Sequence, residues 1–289
     1  MKPEVSVILP VHNEERYLPS AMKSLADQTF TRFELVVVDD ESSDRSMEIV
    51  AGFAGALRIR ILPNESTRGI AGALNTGLKH ARAPLIARQD ADDVSLPRRL
   101  QSQVGFMERN PHVACAGTRA TLIDKNGEPI GPNHLPRDRP VPCSDGELQQ
   151  ILPWICPFTH GSMMMRRTTI EDAGGYRVPF VFAEDYDLWL RVSGTATLAN
   201  LPESLYLYRR HDDSMWGSKW KAGKVFAQVA QSLARERFYR GTDILMDAGV
   251  EAFWDRYGSA FRNVLSDAEM AYLDERMDEP RLGAHAPAT

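Results

Sequence analysis

The acidic cluster Asp90-Ala91-Asp92-Asp93 holds the residues in this chain that are best suited to chemistry. It follows the apolar run Leu85-Ile86-Ala87, so its carboxylates should lie at the carboxyl edge of a sheet. Open α/β proteins bind their ligands at that edge. Carboxylates this close repel one another unless a cation or hydrogen-bond donors offset their charge. A hard divalent cation, which also binds phosphate oxygens, meets that need. The cluster therefore predicts chemistry on a nucleotide diphosphate.

Two further polar segments follow predicted strands. Pro10-Val11-His12-Asn13-Glu14 ends the first strand, and Asp39-Asp40-Glu41-Ser42-Ser43-Asp44 ends the second. Asp, Asn and Ser are common in turns and helix caps, so one such segment alone would indicate only local structure. Three polar segments at the ends of three strands favour a shared site.

The elements that must position these segments alternate between strands and helices. The predicted strands are Val5–Val11, Leu35–Val38, Ile59–Leu62 and Leu85–Gln89. Helices are predicted between them and through Arg109, and this alternation indicates an α/β fold with a mostly parallel sheet and right-handed crossovers. After Val113 the pattern loosens into loops and short edge strands. A strand is predicted at His160–Met165, helices at Thr168–Ala173 and Glu184–Val192, and helical structure from about Lys219 to a frayed tail at Pro280–Thr289.

Composition excludes several functional classes. The formal net charge of −5 disfavours a protein that binds nucleic acid through its phosphates. The three cysteines are too widely spaced to predict disulfides or a zinc site. No signal peptide and no bilayer-length apolar run is found, so we expect a cytoplasmic protein. No G-x-G-x-x-G follows the first strand, which argues against a Rossmann dehydrogenase.

Five motifs in order resemble those of family 2 glycosyltransferases. They are Val5–Glu14, Val36–Asp44, Arg68–Asn75, the Asp90 cluster and Ala183–Arg191. The resemblance covers roughly Val5 to His211, with one departure at Glu41, where the family usually has Gly. It implies a GT-A fold, with a Rossmann-like, mostly parallel central sheet flanked by helices. The implied glycosyltransferase domain spans 1–215, with a nucleotide-sugar half at 1–112 and an acceptor half at 113–215. A C-terminal helical extension would span 216–289.

The resemblance also implies roles for single residues. The residues expected to contact the nucleotide sugar are Pro10, His12, Glu14, Asp40, Arg68, Asp90 and Ala91. Asp90 and Asp92 form the family's DXD motif, and Asp92 is expected to bind Mn²⁺ or Mg²⁺ directly. His211 could close over the diphosphate and join Asp92 at the metal. On the acceptor side we expect His160, Glu184 and Trp189, although His160 could equally be an ordinary strand-end histidine.

Asp185 is the expected catalytic base. It also suits a helix N-cap, and the two roles are compatible because a helix N-terminus favours an ionised carboxylate. One base is enough for in-line displacement at the anomeric carbon with inversion. A glycosidase, in contrast, usually needs two carboxylates that flank the scissile bond.

These motifs predict an inverting glycosyltransferase. It would transfer a sugar, most simply from a UDP-sugar, to a sugar or lipid-linked acceptor in surface polysaccharide or glycolipid synthesis. One alternative is a sugar nucleotidyltransferase, but such enzymes usually carry a Gly-rich basic loop where this chain has His12–Arg16. The other alternative is a nucleotide-sugar-binding module without turnover, against which the intact acidic cluster and Asp185 argue.

The C-terminal segment has two interpretations. Its apolar residues at helical spacing are Trp216, Trp220, Phe226, Val229 and Leu233, with Lys219 and further basic residues among them. They could form an amphipathic surface that touches an anionic membrane, which would make the protein peripheral at the inner face of the membrane. They could instead pack on the core and leave a solvated basic face, and we favour this second interpretation. The oligomeric state is open.

Overall fold

A computed structural model of the chain describes residues 2–133, 135, 140–212, 220–263 and 265. Its first part contains the predicted strands and helices in the predicted order. The strands are β1 (Val5–Val11), β2 (Phe33–Asp39), β3 (Ile59–Pro63) and β4 (Leu85–Arg88), and the helices are α1 (Leu18–Ala26), α2 (Ser46–Gly52) and α3 (Ile70–His80). β1, β2 and β4 are almost wholly buried, as expected for apolar strands covered on both faces.

These four strands are parallel, in the order β3-β2-β1-β4. Val5 lies opposite both Phe33 of β2 and Leu85 of β4, so the three strands start level with one another. Their carboxyl ends therefore meet at one edge, with the three polar segments just beyond it. The predicted convergence of the segments is confirmed.

The second part of the sheet is mixed rather than parallel. Its strands are β5 (Val94–Ser95), β6 (Val113–Ile123), β7 (Pro129–Pro132), β8 (Met164–Arg166) and β9 (Thr197–Arg209). They extend the order as β4-β8-β6-β9-β5, with β7 on the side of β6. β8 is antiparallel to both of its neighbours, whereas β6 and β9 are parallel. The expectation of a mostly parallel sheet thus holds for β1–β4, and the long strand β9 was not predicted.

The remaining helices cover the sheet and its C-terminal side. They are α4 (Arg99–Arg109), α5 (Asp145–Ile151), α6 (Arg167–Asp172), α7 (Glu184–Val192), α8 (Trp220–Arg240), α9 (Ile244–Asp247) and α10 (Gly249–Arg262). Consecutive residues of β1 point to opposite faces. Ile8 accordingly joins a core with α3, α7 and α8, and Leu9 joins a second core with α1 and α4.

The packed interpretation of the C-terminal segment is confirmed within the described residues. Phe226, Val229 and Leu233 of α8 are buried, and the rings of Phe226 and Phe261 stack at 4.1 Å. α8 and α10 therefore share a core with α7. Trp216, Lys219, the tail at 280–289 and the side chain of Trp220 lie outside the described part. In that part, no helix is both long and apolar enough to cross a membrane.

Candidate active site

The loops that follow β1 and β2 are joined by hydrogen bonds. The Asn13 backbone N–H donates to Ser42 Oγ at 3.2 Å, and the Ser43 N–H donates to Asn13 Oδ1 at 2.8 Å. His12 Nδ1 lies 2.6 Å from the carbonyl oxygen of Asp40. A carbonyl can only accept, so Nδ1 must carry the proton. The two polar segments therefore form one surface at the sheet edge.

The turn at Glu41 keeps the backbone shape that glycine usually provides. Glu41 has φ of +63°, in the left-handed region that residues other than Gly rarely adopt. Its exposed carboxylate faces the Arg68 guanidinium, with Glu41 Oε2 3.4 Å from Arg68 Nε. The departure from the family pattern thus changes the charge beside this turn and leaves its backbone conformation in place. It also places a carboxylate next to the arginine expected near the base or the pyrophosphate.

Asp40 is buried and binds the protein with both carboxylate oxygens. Oδ1 accepts from Asn64 Nδ2 at 2.7 Å, and Oδ2 accepts from the Gly69 backbone N–H at 2.8 Å. Gly69 follows Arg68 and precedes α3. Asp40, which we expect to contact the nucleoside, thus also holds the Arg68–Gly69 segment against the end of β2.

The acidic cluster lies at the end of β4, where β9 supplies its partners. Asp90 Oδ1 pairs with Arg88 at 2.6 Å, and the Asp90 backbone N–H donates to Tyr206 Oη at 3.1 Å. Buried Asp93 accepts the Arg209 backbone N–H at 2.7 Å. Burial raises the pKa of Asp90, and burial with the neighbouring carboxylates raises that of Asp93. The cluster therefore concentrates negative charge that a cation would stabilise.

Asp92 and His211, the two residues expected at the metal, are brought together. Asp92 Oδ2 and His211 Nε2 are 3.0 Å apart, and both side chains are largely buried. Within the described residues, no group of three His, Cys, Asp or Glu side chains is arranged to hold a metal ion. Mg²⁺ usually keeps water and substrate phosphates as ligands beside one or two protein groups. One carboxylate and one imidazole fit a cation of this kind that is shared with a diphosphate.

Asp185 lies in the first turn of α7. Its Oδ1 accepts the Tyr186 backbone N–H at 2.7 Å, one of the first-turn N–H groups that have no partner within the helix. The N-cap position itself is occupied by Ala183 and not, as the sequence suggested, by Asp185. Burial, with the charge of Asp90, raises the pKa of Asp185 to about 6, and the Tyr186 N–H opposes this rise. The sequence predicted that the helix N-terminus would lower the pKa of Asp185. Burial has the larger effect and raises it. A carboxylate with this pKa remains mostly ionised at neutral pH and can accept a proton.

The residues expected on the acceptor side lie together, but one of them is inaccessible. His160 Nε2 is 3.0 Å from Tyr176 Oη, and His160 Nδ1 is 3.8 Å from Glu184 Oε1. Burial lowers the pKa of His160 and raises that of Glu184. Trp189 is fully buried, with its ring 6.1 Å from that of His160. The expectation that Trp189 faces the acceptor is therefore wrong in this structure, because the indole supports His160 from within the core.

Sequence reasoning missed Arg88, Tyr206 and Gly161. Arg88 is 1% exposed and donates to the Gln89 carbonyl and to Asp90. A Cβ at Gly161 would overlap Tyr206 Oη and Asp90 Oδ2, so only glycine allows the turn at His160–Ser162 to approach the acidic cluster. An arginine at the end of an apolar strand, two residues before an acidic cluster, was the available signal for Arg88.

Comparison with known proteins identifies the family. The model of Glycosyl transferase family 2 matches residues 6–174. The putative glycosyltransferase EpsE of Bacillus subtilis is 36% identical over 73% of this chain and 75% of its own length. The amylovoran biosynthesis glycosyltransferase AmsE of Erwinia amylovora is 31% identical over 82% of this chain and 89% of its own length.

Solved structures confirm the GT-A fold. S. aureus TarS 1-349 in complex with UDP-GlcNAc has a TM-score of 0.62 and is 22% identical. The match covers 80% of this chain and 65% of the TarS chain. The mannosyltransferase PcManGT of Pyrobaculum calidifontis, in complex with GDP-Man and Mn²⁺, has a TM-score of 0.61 and is 19% identical. The match covers 95% of this chain and 79% of the PcManGT chain. From the family model and these relatives together, the chain belongs to glycosyl transferase family 2.

Proposed function

We propose that this chain is an inverting glycosyltransferase that moves a sugar from a UDP-sugar to an acceptor hydroxyl in polysaccharide or glycolipid synthesis. The observation that carries the proposal is the short structural path from the DXD cluster to Asp185. Asp90 lies against Gly161, the neighbouring His160 faces Glu184, and Asp185 follows in α7. The names of relatives, among them AmsE in amylovoran biosynthesis and TarS with UDP-GlcNAc, support the process and the donor class.

The donor would lie along the carboxyl ends of β1, β2 and β4. Pro10, His12, Glu14 and the Asp40 region would line the nucleoside pocket. Arg68 offers a planar guanidinium to the base or the pyrophosphate once it leaves Glu41. Asp90, fixed by Arg88 and by Tyr206 Oη, would accept hydrogen bonds from ribose hydroxyls.

Asp92 and His211 would hold the divalent cation. Bound there, Mn²⁺ or Mg²⁺ would neutralise charge on the diphosphate, and Mn²⁺ in the PcManGT complex supports this choice. The leaving group then needs no acid from the protein. Asp185 would take the proton of the acceptor hydroxyl as that oxygen bonds to the anomeric carbon. The bond from this carbon to the diphosphate breaks, and its electron pair leaves with the diphosphate.

Calorimetric titration of UDP, GDP and dTDP, each with Mn²⁺ and with EDTA, tests the donor site. We expect UDP to bind with Mn²⁺, and Asp92→Ala to weaken that binding at least about 100-fold, because the variant loses a direct ligand of the metal. Asp172→Ala removes an exposed carboxylate and should leave binding unchanged. If wild-type protein bound no nucleotide under any of these conditions, the glycosyltransferase proposal would fail.

The pH dependence of transfer should report the ionisation of Asp185. A base acts only when deprotonated, so kcat/KM should rise about tenfold per pH unit below its pKa and level off above it. Because the pKa of Asp185 lies at about 6, the rise should end near that pH. The profile is measured between about pH 4.5 and 8, with tryptophan fluorescence confirming that the fold is intact. A flat profile through this range would contradict Asp185 as the base.

A further inference from the structure

The exposed side chains of α8 share an unusual chemistry. Among residues 221–240, which the structure describes with their side chains, none of the exposed ones is acidic, although the whole chain has a net charge of −5. They are Lys221, Lys224, Gln228, Arg235, Phe238, Tyr239 and Arg240. The two aromatic rings are 82% and 81% exposed and contact each other edge to face at 5.1 Å. Adjacent exposed apolar side chains with polar residues around them are typical of an interaction surface.

All of these residues except Arg240 form a stripe on one side of the helix, because their spacing matches the helical repeat. Lys221, Lys224, Gln228, Arg235 and Tyr239 follow at intervals of three, four, seven and four residues, which places them on one face. The opposite face is the buried one that packs on α7 and α10. At 1.5 Å per residue the stripe is about 27 Å long. It is therefore a separate surface from the apolar face considered in the sequence.

Trp154 extends this stripe toward the catalytic helix. Its side chain is 76% exposed, and its carbonyl oxygen accepts from Gln231 Nε2 at 3.0 Å. The same Gln231 Nε2 lies 3.0 Å from Tyr186 Oη. Tyr186 is the residue after Asp185, and its backbone N–H donates a hydrogen bond to that carboxylate. The stripe and Trp154, together called the basic aromatic face, thus lie beside the helix that carries the expected base.

We propose that the basic aromatic face docks on an anionic bilayer surface. Lys and Arg are attracted to anionic headgroups, while exposed Trp, Tyr and Phe suit the boundary between headgroups and acyl chains. Residues 221–240 contain five Lys or Arg side chains and one acidic side chain, Glu236, which pairs with Arg256. A second copy of the chain fits less well, because a two-fold dimer through this face would oppose like charges.

Flotation with vesicles of phosphatidylcholine, with and without about one third phosphatidylglycerol, tests the proposal. Wild-type protein should bind only the anionic vesicles, and high salt should weaken the binding. Lys224→Glu with Arg235→Glu should reduce it more than about 25-fold, at about fivefold for each cation removed. Arg82→Glu with Arg98→Glu makes the same charge change at exposed positions elsewhere and should have little effect.

A second pair of variants tests the aromatic contribution. Phe238→Ser with Tyr239→Ser should weaken vesicle binding at least tenfold, because two rings no longer enter the interface. Ile61→Ser with Ile130→Ser removes other exposed apolar side chains and should leave binding unchanged. Equal binding by all variants, or none by wild type, would overturn the proposal. So would a dimer in sedimentation that the Phe238/Tyr239 variant dissociates. UDP titration of the same proteins tests the donor site independently. A variant that loses vesicle binding but still binds UDP has lost only the membrane contact.

Discussion

Asp185→Asn should lower the rate of transfer about 1,000-fold while UDP still binds with Mn²⁺. General bases contribute about 10² to 10⁴ in rate, and Asn cannot accept the proton of the acceptor hydroxyl. Its amide oxygen can still accept the Tyr186 N–H, so the first turn of α7 should keep this hydrogen bond. The proposed nucleotide site uses groups at the ends of β1, β2 and β4 and should be unaffected. The measurement is single-turnover transfer together with calorimetric UDP binding.

The same substitution should stabilise the fold at neutral pH. The pKa of Asp185 is about 6 in the folded chain, against a model-compound value of 3.8. A carboxylate whose pKa is raised on folding favours the folded state below the unfolded pKa, and this contribution is lost as the pH rises through about 6. Ionised Asp185 therefore costs stability at pH 7, and Asn should recover on the order of 2 kcal/mol.

Chemical unfolding at pH 7 and at about pH 4 measures this difference. The gain for Asp185→Asn should be present at the higher pH and nearly absent at the lower one. Asp172→Asn, at an exposed position, should show neither the gain in unfolding free energy nor the loss of transfer activity. Full activity in Asp185→Asn would place the base elsewhere. Lost activity without any gain in stability would mean that the carboxylate is not held in a desolvated site.

Sequence patterns predicted the parallel part of the sheet, β1 to β4, because two local signals agree there. Short apolar runs end in polar segments, and helices with regular apolar spacing separate them. Parallel pairing then brings the segments to one edge without any information about distant contacts. Asp90, Asp92 and Asp185 could be selected for the same reason, since each stands at the boundary of an element that the sequence itself marks.

The mixed part of the sheet, which we expect on the acceptor side, depends on contacts that no local pattern contains. β9 is interrupted by the exposed residues Pro202 and Glu203, and its register against β6 shifts, so it lacks a continuous apolar run. Its side chains nevertheless supply Tyr206 and Arg209 to the acidic cluster. Trp189 was assigned to the acceptor side from its place in a motif, but its burial follows from how α7 packs. The domain limits at 112 and 215 and the cytoplasmic location stay predictions.

Arg88→Met should weaken the fold and shift the pH dependence of transfer. Arg88 is fully buried and pairs with Asp90 at 2.6 Å, and its charge also lowers the pKa of Asp185. Removing one partner of a buried ion pair leaves the other charge uncompensated and typically costs about 3 to 5 kcal/mol. Without this cation the pKa of Asp185 should rise. The acid limb, the part of the pH profile in which kcat/KM rises with pH, should therefore shift to higher pH than in the wild type. Urea unfolding and pH profiles of kcat/KM measure the two effects.

Arg88→Lys separates charge from hydrogen bonding. Lysine supplies a positive charge but cannot donate to the Gln89 carbonyl and to Asp90 from one rigid planar group. We expect this variant to restore most of the pH profile but only part of the stability. Arg82→Met removes an exposed arginine and should change neither property. An unchanged acid limb in Arg88→Met would show that Arg88 does not set the ionisation of Asp185. Its buried charge would then serve only to fix Asp90, and any electrostatic link between the acidic cluster and Asp185 would have to run through other groups.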